Sequence, residues 1–213
     1  MNPIEPITAL MLEALKFFQP FAFNNLGGAI ILLTVAVKIA LYPLTLQSTQ
    51  QMLKMSRVQP ELAEIQKKLK GQPEKLQKAM MALYKQHQVN PLGGCLPMLL
   101  QIPFFIALFF ALNSKEFVSL AQIAGTNSHF LWIHNLTAKD PYYILTVLIG
   151  LTTYWTQKVT PMAGSDQQKQ MMLFMPIFIT FISAGFPAGV QLYWVVQNLL
   201  TVAQQSYIIR HKV

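Results

Sequence analysis

The stretch LTVAVKIALYPL, residues Leu33–Leu44, places one lysine inside an apolar run, and this stretch decides the fold. The chain has 213 residues, of which 53% are hydrophobic and only 11% are charged. Soluble domains are about 25% charged, so this is the composition of a membrane protein. An ammonium near the centre of a membrane span costs about 2.5 to 3.5 kcal/mol on insertion scales. Lys38 therefore needs a compensating environment.

Apolar runs of this kind recur along the chain. Each is close to the roughly 20 residues that a helix needs to cross the hydrocarbon core. The sequence therefore predicts an all-α, polytopic membrane protein with one core domain over 1–213. Its five spans are predicted at 26–46, 95–113, 141–158, 170–186 and 188–209. The third and fourth spans are the shortest, and buried or tilted helices are the alternative for both.

The residues before the first span have the pattern of a helix that lies on a membrane. Apolar residues recur at helical spacing in ITALMLEALKFFQPFAF, with Glu13 and Lys16 between them. We predict an amphipathic helix over 4–20 in the outer interface, ended by Pro20. A short sixth span is the alternative, which the two charges disfavour.

Residues 48–89 are too polar to cross the bilayer, but their apolar residues are periodic. The pattern stops at Gly71–Pro73 and then resumes. Pro60 and Pro73 each suit a first helical turn. We therefore predict two helices folded back as a cytoplasmic hairpin with an apolar seam.

Lysine and arginine are concentrated on one side of the predicted spans. The hairpin, the loop between the third and fourth spans and the carboxyl-terminal tail are basic, whereas the amino-terminal segment and the loop 114–140 are not. The positive-inside rule puts the amino terminus outside and the carboxyl terminus in the cytoplasm. This topology accounts for the formal net charge of +8, so DNA is not expected as a partner.

The outer face of the hairpin is a candidate docking surface. Its basic residues are Lys54, Arg57, Lys67, Lys68, Lys75 and Lys78. Such a face can meet anionic lipid, ribosomal RNA or an acidic partner. A solvated face without a partner is the alternative.

Lys38 has no carboxylate partner within the predicted spans, because all eight acidic residues lie outside them. A lone ammonium at membrane depth must find water, carbonyl groups or an acidic ligand. Thr34 and Tyr42 flank it at four residues on either side, which predicts one shared helix face. If polar residues on the other spans also face inward, they line a hydrophilic cavity together with this face. The candidate residues of this site are Lys38, Thr34, Tyr42, Gln101, Thr153, Gln157, Gln191, Trp194 and Asn198.

Two plainer interpretations of these residues stay open. Glutamine, threonine and serine can simply join helices through hydrogen bonds worth about 0.6 to 2 kcal/mol each. Lys38 can also extend its side chain to the interface. It lies about 12 Å along the helix from Leu46, at a rise of 1.5 Å per residue. A lysine stem does not cover that distance without water or bilayer thinning.

Signatures of enzymes are missing from the sequence. It has no H-E-x-x-H motif, no paired carboxylates for acid–base work, and no nucleophile with a base in the spans. Cys95 is the single cysteine, which excludes an internal disulfide and a multi-cysteine metal site. His129 and His134 in the outer loop are a weak metal signal. We therefore expect neither an enzyme, nor a cofactor, nor a metal site.

Four blocks stand in order along the chain. They are LYPLTLQSTQQMLKM (41–55), NPLGGCLPMLLQIPFF (90–105), FLWIHNLTAKDPYYIL (130–145) and FPAGVQLYWVVQNLLTVAQQ (186–205). Together they resemble the bacterial YidC form of the YidC/Oxa/Alb membrane protein insertase family, over essentially the whole chain. The large extracytoplasmic domain of many Gram-negative members is not among these residues, so we expect a form that lacks it.

The resemblance implies a five-span core with a groove open to the cytoplasm and to lipid but closed to the outside. The groove receives the polar outer segment of a nascent membrane protein and lowers the barrier to its crossing. The family carries an arginine where this chain has Lys38, in VKIALYPL. Thr34, Gln157 and Trp194 match family positions in or beside the groove.

The resemblance also implies a location and partners. The location is the bacterial plasma (inner) membrane. The partners are nascent membrane proteins and the lipid bilayer, and the Sec translocon, the ribosome and the signal recognition particle receptor are further candidates.

These observations predict a membrane protein insertase in which Lys38 attracts acidic residues of the substrate. A small channel or carrier is one alternative, and it requires polar residues from one membrane face to the other. The outer halves of the second and fourth spans, IALFFAL and FITFISAGF, are nearly apolar, which favours a closed groove. A scaffold that binds membrane proteins without inserting them is the other alternative, and it shares every feature.

Overall fold

The computed structural model describes residues 4–90, 96–122, 127–161 and 166–211, and the side chains of 96–100 and 166–172 are not described. Cys95, the first residue of the predicted second span, lies outside these ranges. The helices are α1 (Glu5–Phe18), α2 (Leu26–Ala40), α3 (Tyr42–Lys68), α4 (Pro73–Gln86), α5 (Leu96–Leu112), α6 (Lys115–Gln122), α7 (Ile144–Val159), α8 (Asp166–Ser183) and α9 (Ala188–His211). The predicted all-α fold class is confirmed.

The first helix is amphipathic because its apolar residues recur at helical spacing. Met11, Leu12 and Leu15 are buried, and α1 packs on α2 and α5. Leu10 and Phe17 remain exposed on the opposite face. A short 3-10 turn then leads to α2, whose first turn is capped by the side chain of Asn25, an acceptor for the Gly28 N–H at 3.0 Å.

The predicted first span is bent rather than straight. Helix α2 ends at Ala40, Leu41 intervenes, and α3 leaves at an angle of 62°. Pro43 explains the break, because it lacks an N–H to continue the hydrogen-bond ladder of α2 and is tolerated in the first turn of α3. The prediction that Tyr42 continues the helix face of Lys38 is therefore wrong, since Tyr42 begins the next helix.

Among the described residues, no single helix is both long and apolar enough to cross a membrane by itself. Two bent pairs meet that requirement together by length and composition. They are α2 with α3, and residues 101–112 of α5 with α6, which meet at 54°.

Helices α3 and α4 pack against each other as a hairpin. Val58, Leu62, Leu83 and Val89 form its buried seam, which is separate from the main core. Helix α4 begins at Pro73. Pro60, however, lies inside α3, so the prediction that it occupies a first helical turn is wrong. The helix runs on through Pro60 although the ring removes one backbone donor.

The main core surrounds α9, which contacts α7, α2 and α5. Apolar residues of α1, α2, α5, α6 and α7 complete this core, including Leu15, Leu26, Leu108, Phe117 and Ile149. Helix α8 packs on α7 and presents exposed apolar residues on its other side. Four polar side chains of α9 are buried among these helices, namely Gln191, Gln197, Asn198 and Gln205.

Candidate functional site

The ammonium of Lys38 lies between α2 and α9. Its Nζ donates a hydrogen bond to Oγ1 of Thr201 at 2.7 Å, and the lysine side chain is half-buried. In the described part of the chain, the ion pairs join Lys16 with Glu13, Lys68 with Glu64 and His87 with Glu61. Lys38 is thus held by a neutral oxygen, which leaves its positive charge uncompensated by a carboxylate of these residues.

A chain of polar side chains continues from this point between α9 and α5. Gln197 donates from Nε2 to Oε1 of Gln101 at 2.6 Å, and Gln101 donates in turn to the hydroxyl of Tyr193. Tyr193, Gln197 and Thr201 are spaced by four residues, so they share one face of α9. Sequence reasoning included Gln101 but missed Tyr193 and Gln197, although their spacing was a usable signal.

A second polar seam joins α9 to α7. Gln191 accepts from the hydroxyl of Thr146 at 3.2 Å, and its Nε2 donates to the carbonyls of Ser183 and Phe186 at 2.8 and 3.0 Å. Through these bonds the buried amide of Gln191 links α9 to Thr146 of α7 and to Ser183 at the end of α8.

About two turns further along α9, Asn198 donates from Nδ2 to the hydroxyls of Thr152 and Thr153 at 3.1 and 3.0 Å. Gln205 continues this face and accepts from Thr160 at 2.6 Å. Gln191 and Asn198 of α9 and Thr153 of α7 therefore lie along the contact between these two helices. Lys38 of α2 and Gln101 of α5 contact other faces of α9. Thr152 is a member of this seam that sequence reasoning missed.

The other predicted groove residues have varied surroundings. Thr34 is buried and donates to the carbonyl of Ile30 in its own helix at 2.6 Å. Trp194 is half-buried, with its ring centroid 5.0 Å from that of Phe105. Tyr42 at the start of α3 and Gln157 on α7 are also half-buried.

The loop before α7 lies across the amino-terminal ends of α2 and α9. Its backbone carbonyls accept from Leu26 N at 2.9 Å, Ala188 N at 2.7 Å and Gly189 N at 2.8 Å. Ile133 and Leu136 of the loop are buried in the main core. The loop thereby covers the amino-terminal ends of α2 and α9.

Asp140 organises the end of that loop. It is 2% exposed and accepts from Trp132 Nε1 at 3.1 Å, Tyr142 N at 3.2 Å and Leu145 N at 2.6 Å. Leu145 is in the first turn of α7, whose N–H groups have no partner within the helix. Asp140 thus ties the loop to α7.

The six predicted docking residues are all exposed on the hairpin. They are Lys54, Arg57, Lys67, Lys68, Lys75 and Lys78. Lys68 lies 3.4 Å from Glu64 in an exposed pair, which contributes little. On the seam side, burial raises the pKa of the Tyr84 hydroxyl.

Comparison with known proteins decides the family. A model of the family described as 60Kd inner membrane protein matches residues 17–213. The chain belongs to this family. The resemblance drawn from the four sequence blocks is thereby confirmed.

The family's curated members include close relatives of this chain. Proteins called membrane protein insertase YidC are 43% identical over 198 residues in Geotalea daltonii and 45% identical over 199 residues in Geotalea uraniireducens. Each alignment covers 93% of this chain and 36% of the relative. The chain thus spans about a third of the length of these relatives.

A solved structure has the same fold. It is described as an active YidC insertase with its first transmembrane domain resolved, and it superposes with a TM-score of 0.73 at 24% identity. The match covers 100% of this chain and 47% of that one. It establishes the helical fold of this 60Kd inner membrane protein family member.

The two histidines of the loop before α7 lie close together in this family member. Nδ1 of His134 lies 2.6 Å from Nε2 of His129, and both rings are exposed. One imidazole donates and the other accepts in such a pair. Within the described ranges, His, Cys, Asp and Glu do not gather in groups of three or more that could hold a metal ion.

Proposed function

We propose that this chain is the core of a membrane protein insertase. It takes the polar outer segment of a nascent membrane protein into a groove beside Lys38 and releases the apolar span into lipid. One observation carries the proposal, namely an ammonium between α2 and α9 that is hydrogen-bonded to the neutral Thr201 rather than neutralised. The name of the 43 to 45% identical relatives supports the same function.

The role proposed for Lys38 is electrostatic. A positive charge in a region of low dielectric constant attracts a carboxylate more strongly than it would in water. The attraction offsets part of the desolvation cost when an acidic outer segment enters the bilayer. Transfer of the substrate's apolar span into lipid supplies the driving force, so no covalent step is required.

Lysine suits this role with fewer contacts than the family's arginine. An ammonium has three donors, one of which Thr201 uses. Two donors remain for a substrate carboxylate, but they lack the planar fork with which arginine binds both carboxylate oxygens. We therefore propose that this chain binds acidic substrates less tightly than a member with arginine does, through charge more than through the geometry of the hydrogen bonds.

The loop that covers the amino-terminal ends of α2 and α9 favours a groove rather than a pore. The loop 127–143 bonds to the first turns of α2 and α9, and its Ile133 and Leu136 are buried. A pore would need a polar path through this end. The groove is proposed to open toward the cytoplasm and lipid.

The proposed location is the bacterial inner membrane, in accordance with the family's description. The amino terminus is proposed to lie outside and the hairpin in the cytoplasm, because the hairpin is rich in lysine. Nascent membrane proteins and lipid are the proposed partners. The exposed basic face of the hairpin is the proposed meeting point for anionic lipid, the ribosome, the Sec translocon or the signal recognition particle receptor.

The test is insertion into proteoliposomes that contain only this chain. The substrate is a single-span protein with a short acidic outer tail, and protease protection of that tail is measured. We expect protection that falls for Lys38→Ala, falls further for Lys38→Glu, and is retained by Lys38→Arg. Lys115→Ala removes an exposed lysine of α6 and serves as the matched control.

Three results would contradict the proposal. Equal protection by Lys38→Glu and the unmodified chain would show that the charge of Lys38 takes no part in insertion. Solute flux without protection would favour a channel or carrier. Substrate binding without protection by the folded chain would favour a scaffold.

A further inference from the structure

The hydrogen bond between Lys38 and Thr201 has a fixed direction. The Thr201 hydroxyl donates its single proton to the backbone carbonyl of Gln197 at 2.7 Å. Its oxygen can therefore only accept from the Lys38 ammonium, which lies 2.7 Å away. Thr201 is β-branched and has few side-chain rotamers in a helix, so the position of this acceptor is narrowly defined.

We infer that Thr201 is a positioning residue that holds the Lys38 ammonium in place for the acidic segment of a substrate. The inference rests on the proposed insertase function. It assigns the preference for acidic over neutral outer segments to the pair of Lys38 with Thr201, and not to Lys38 alone.

The chemistry of the acceptor supports this assignment. A lysine side chain has four rotatable bonds and loses much conformational freedom when it is fixed. A neutral hydroxyl fixes it without cancelling its charge, whereas a carboxylate at position 201 would form an internal ion pair and compete with the substrate. Thr201 therefore fixes the ammonium of Lys38 without reducing its positive potential.

The helix that carries Thr201 is itself fixed at this level. Gln197 lies one turn before Thr201 and bonds to Gln101 of α5 at 2.6 Å, and Gln101 bonds to Tyr193. On an adjacent face of α9, Asn198 bonds to two threonines of α7. These bonds tie α9 to α5 and α7 beside Thr201. Helix α9 also packs directly on α2, which brings the Thr201 hydroxyl within hydrogen-bond distance of Lys38.

The experiment compares two substrates that differ only in the outer tail, one with aspartates and one with asparagines in their place. The measured quantity is the ratio of their insertion rates in proteoliposomes. Thr201→Val keeps the shape and removes the acceptor, and we expect the ratio to fall by about tenfold or more, as for a hydrogen bond to a charged group. Thr201→Ser keeps the acceptor and should retain the ratio.

Two further variants sharpen the result. Thr201→Asp should abolish the preference for the acidic tail while the asparagine tail inserts at its original rate. Thr8→Val is the matched control, since Thr8 makes the same bond to a carbonyl four residues earlier, at 3.0 Å, but holds no lysine. It should leave the ratio unchanged.

The outcomes separate this inference from the proposed function. An equal fall for both tails in Thr201→Val would mean a purely structural role and would overturn the inference. A preference that Thr201→Asp leaves intact would also overturn it. A Thr201→Val effect that persists in a Lys38→Ala background would show that the two residues act independently, against the inference. Failure of the unmodified chain to insert either tail would instead refute the proposed function.

Discussion

Gly150 of α7 faces the hydroxyl of Thr180 of α8 with no room for a side chain between them. A Cβ at position 150 would overlap Thr180 Oγ1 and would contact its Cβ at 3.5 Å. The hydroxyl is fixed, because it donates to the carbonyl of Pro176 at 2.7 Å. Small residues allow helices in membranes to approach closely, and this is such a position.

Gly150→Ala should therefore destabilise the contact between α7 and α8. Overpacking of this kind costs about 1 to 3 kcal/mol. We expect a lower midpoint of thermal unfolding in detergent for Gly150→Ala. The double variant with Thr180→Ala should recover most of the loss because the overlapping oxygen is gone. If Gly150→Ala alone unfolds at the original temperature, the two helices are not in this contact.

Composition and periodicity were enough to predict the helical architecture. Apolar runs and the spacing of the hairpin residues indicate which segments are helical, since burial against neighbours demands one apolar face. They do not reveal the bend at Leu41 or the passage of α3 through Pro60. The chain follows the local signal of Pro43, where the helix breaks, but tertiary packing overrides that of Pro60, and a single sequence does not record which of the two outcomes a proline has.

The sequence singled out Lys38 as a candidate site residue, but it did not predict the arrangement of the side chains around it. Lys38 was identifiable because a charge in an apolar run needs an explanation. The polar residues of α9 were identifiable too, but their division into a face toward Lys38 and a face toward α7 was not. Thr201 and Asn198 are three residues apart on α9, yet they bond to different helices. Which neighbour each face meets is a property of the packed bundle.

Asp140→Ala should destabilise the protein at the end covered by the loop. The buried carboxylate accepts from Trp132, Tyr142 and Leu145, and its removal leaves these donors without their partner. A loss of about 3 kcal/mol is expected, since each unsatisfied buried donor costs about 1 to 3 kcal/mol. The measurement is thermal unfolding in detergent.

Two variants control for this change. Asp140→Asn retains one carbonyl oxygen and should lose less stability than Asp140→Ala. Lys139→Ala alters the exposed neighbouring residue and should be neutral. Equal midpoints for Asp140→Ala and Lys139→Ala would contradict the buried role of Asp140.

Leu62→Ala should open the hairpin without unfolding the bundle. Leu62 is 7% exposed in a small cluster that is separate from the main core. Leucine-to-alanine changes in cores cost about 2 to 5 kcal/mol, and this small cluster belongs at the lower end of that range. We expect faster proteolysis within 48–89 and an unchanged unfolding midpoint of the bundle, because a local unit can open independently. Met81→Ala, at a residue 51% exposed on the same hairpin, should leave the cleavage rate unchanged. A bundle midpoint that falls with Leu62→Ala would show that hairpin and bundle unfold together.

Trp155 should contact lipid acyl chains. It is 53% exposed on α7, beside the exposed Leu151 and Tyr154. The exposed Lys158 follows one turn later, with its Nζ 5.3 Å from the centroid of the Tyr154 ring. Trp194, by contrast, is half-buried against Phe105. Two variants that each retain one of these tryptophans, with the others changed to phenylalanine, can be reconstituted in bilayers of lipids brominated on the acyl chains. Bromine quenches tryptophan fluorescence on contact, so we expect much stronger quenching for Trp155 than for Trp194. Equal quenching, or stronger quenching of Trp194, would mean that the exposed face of α7 does not meet the lipid, and the proposed orientation of the bundle in the membrane would have to be abandoned.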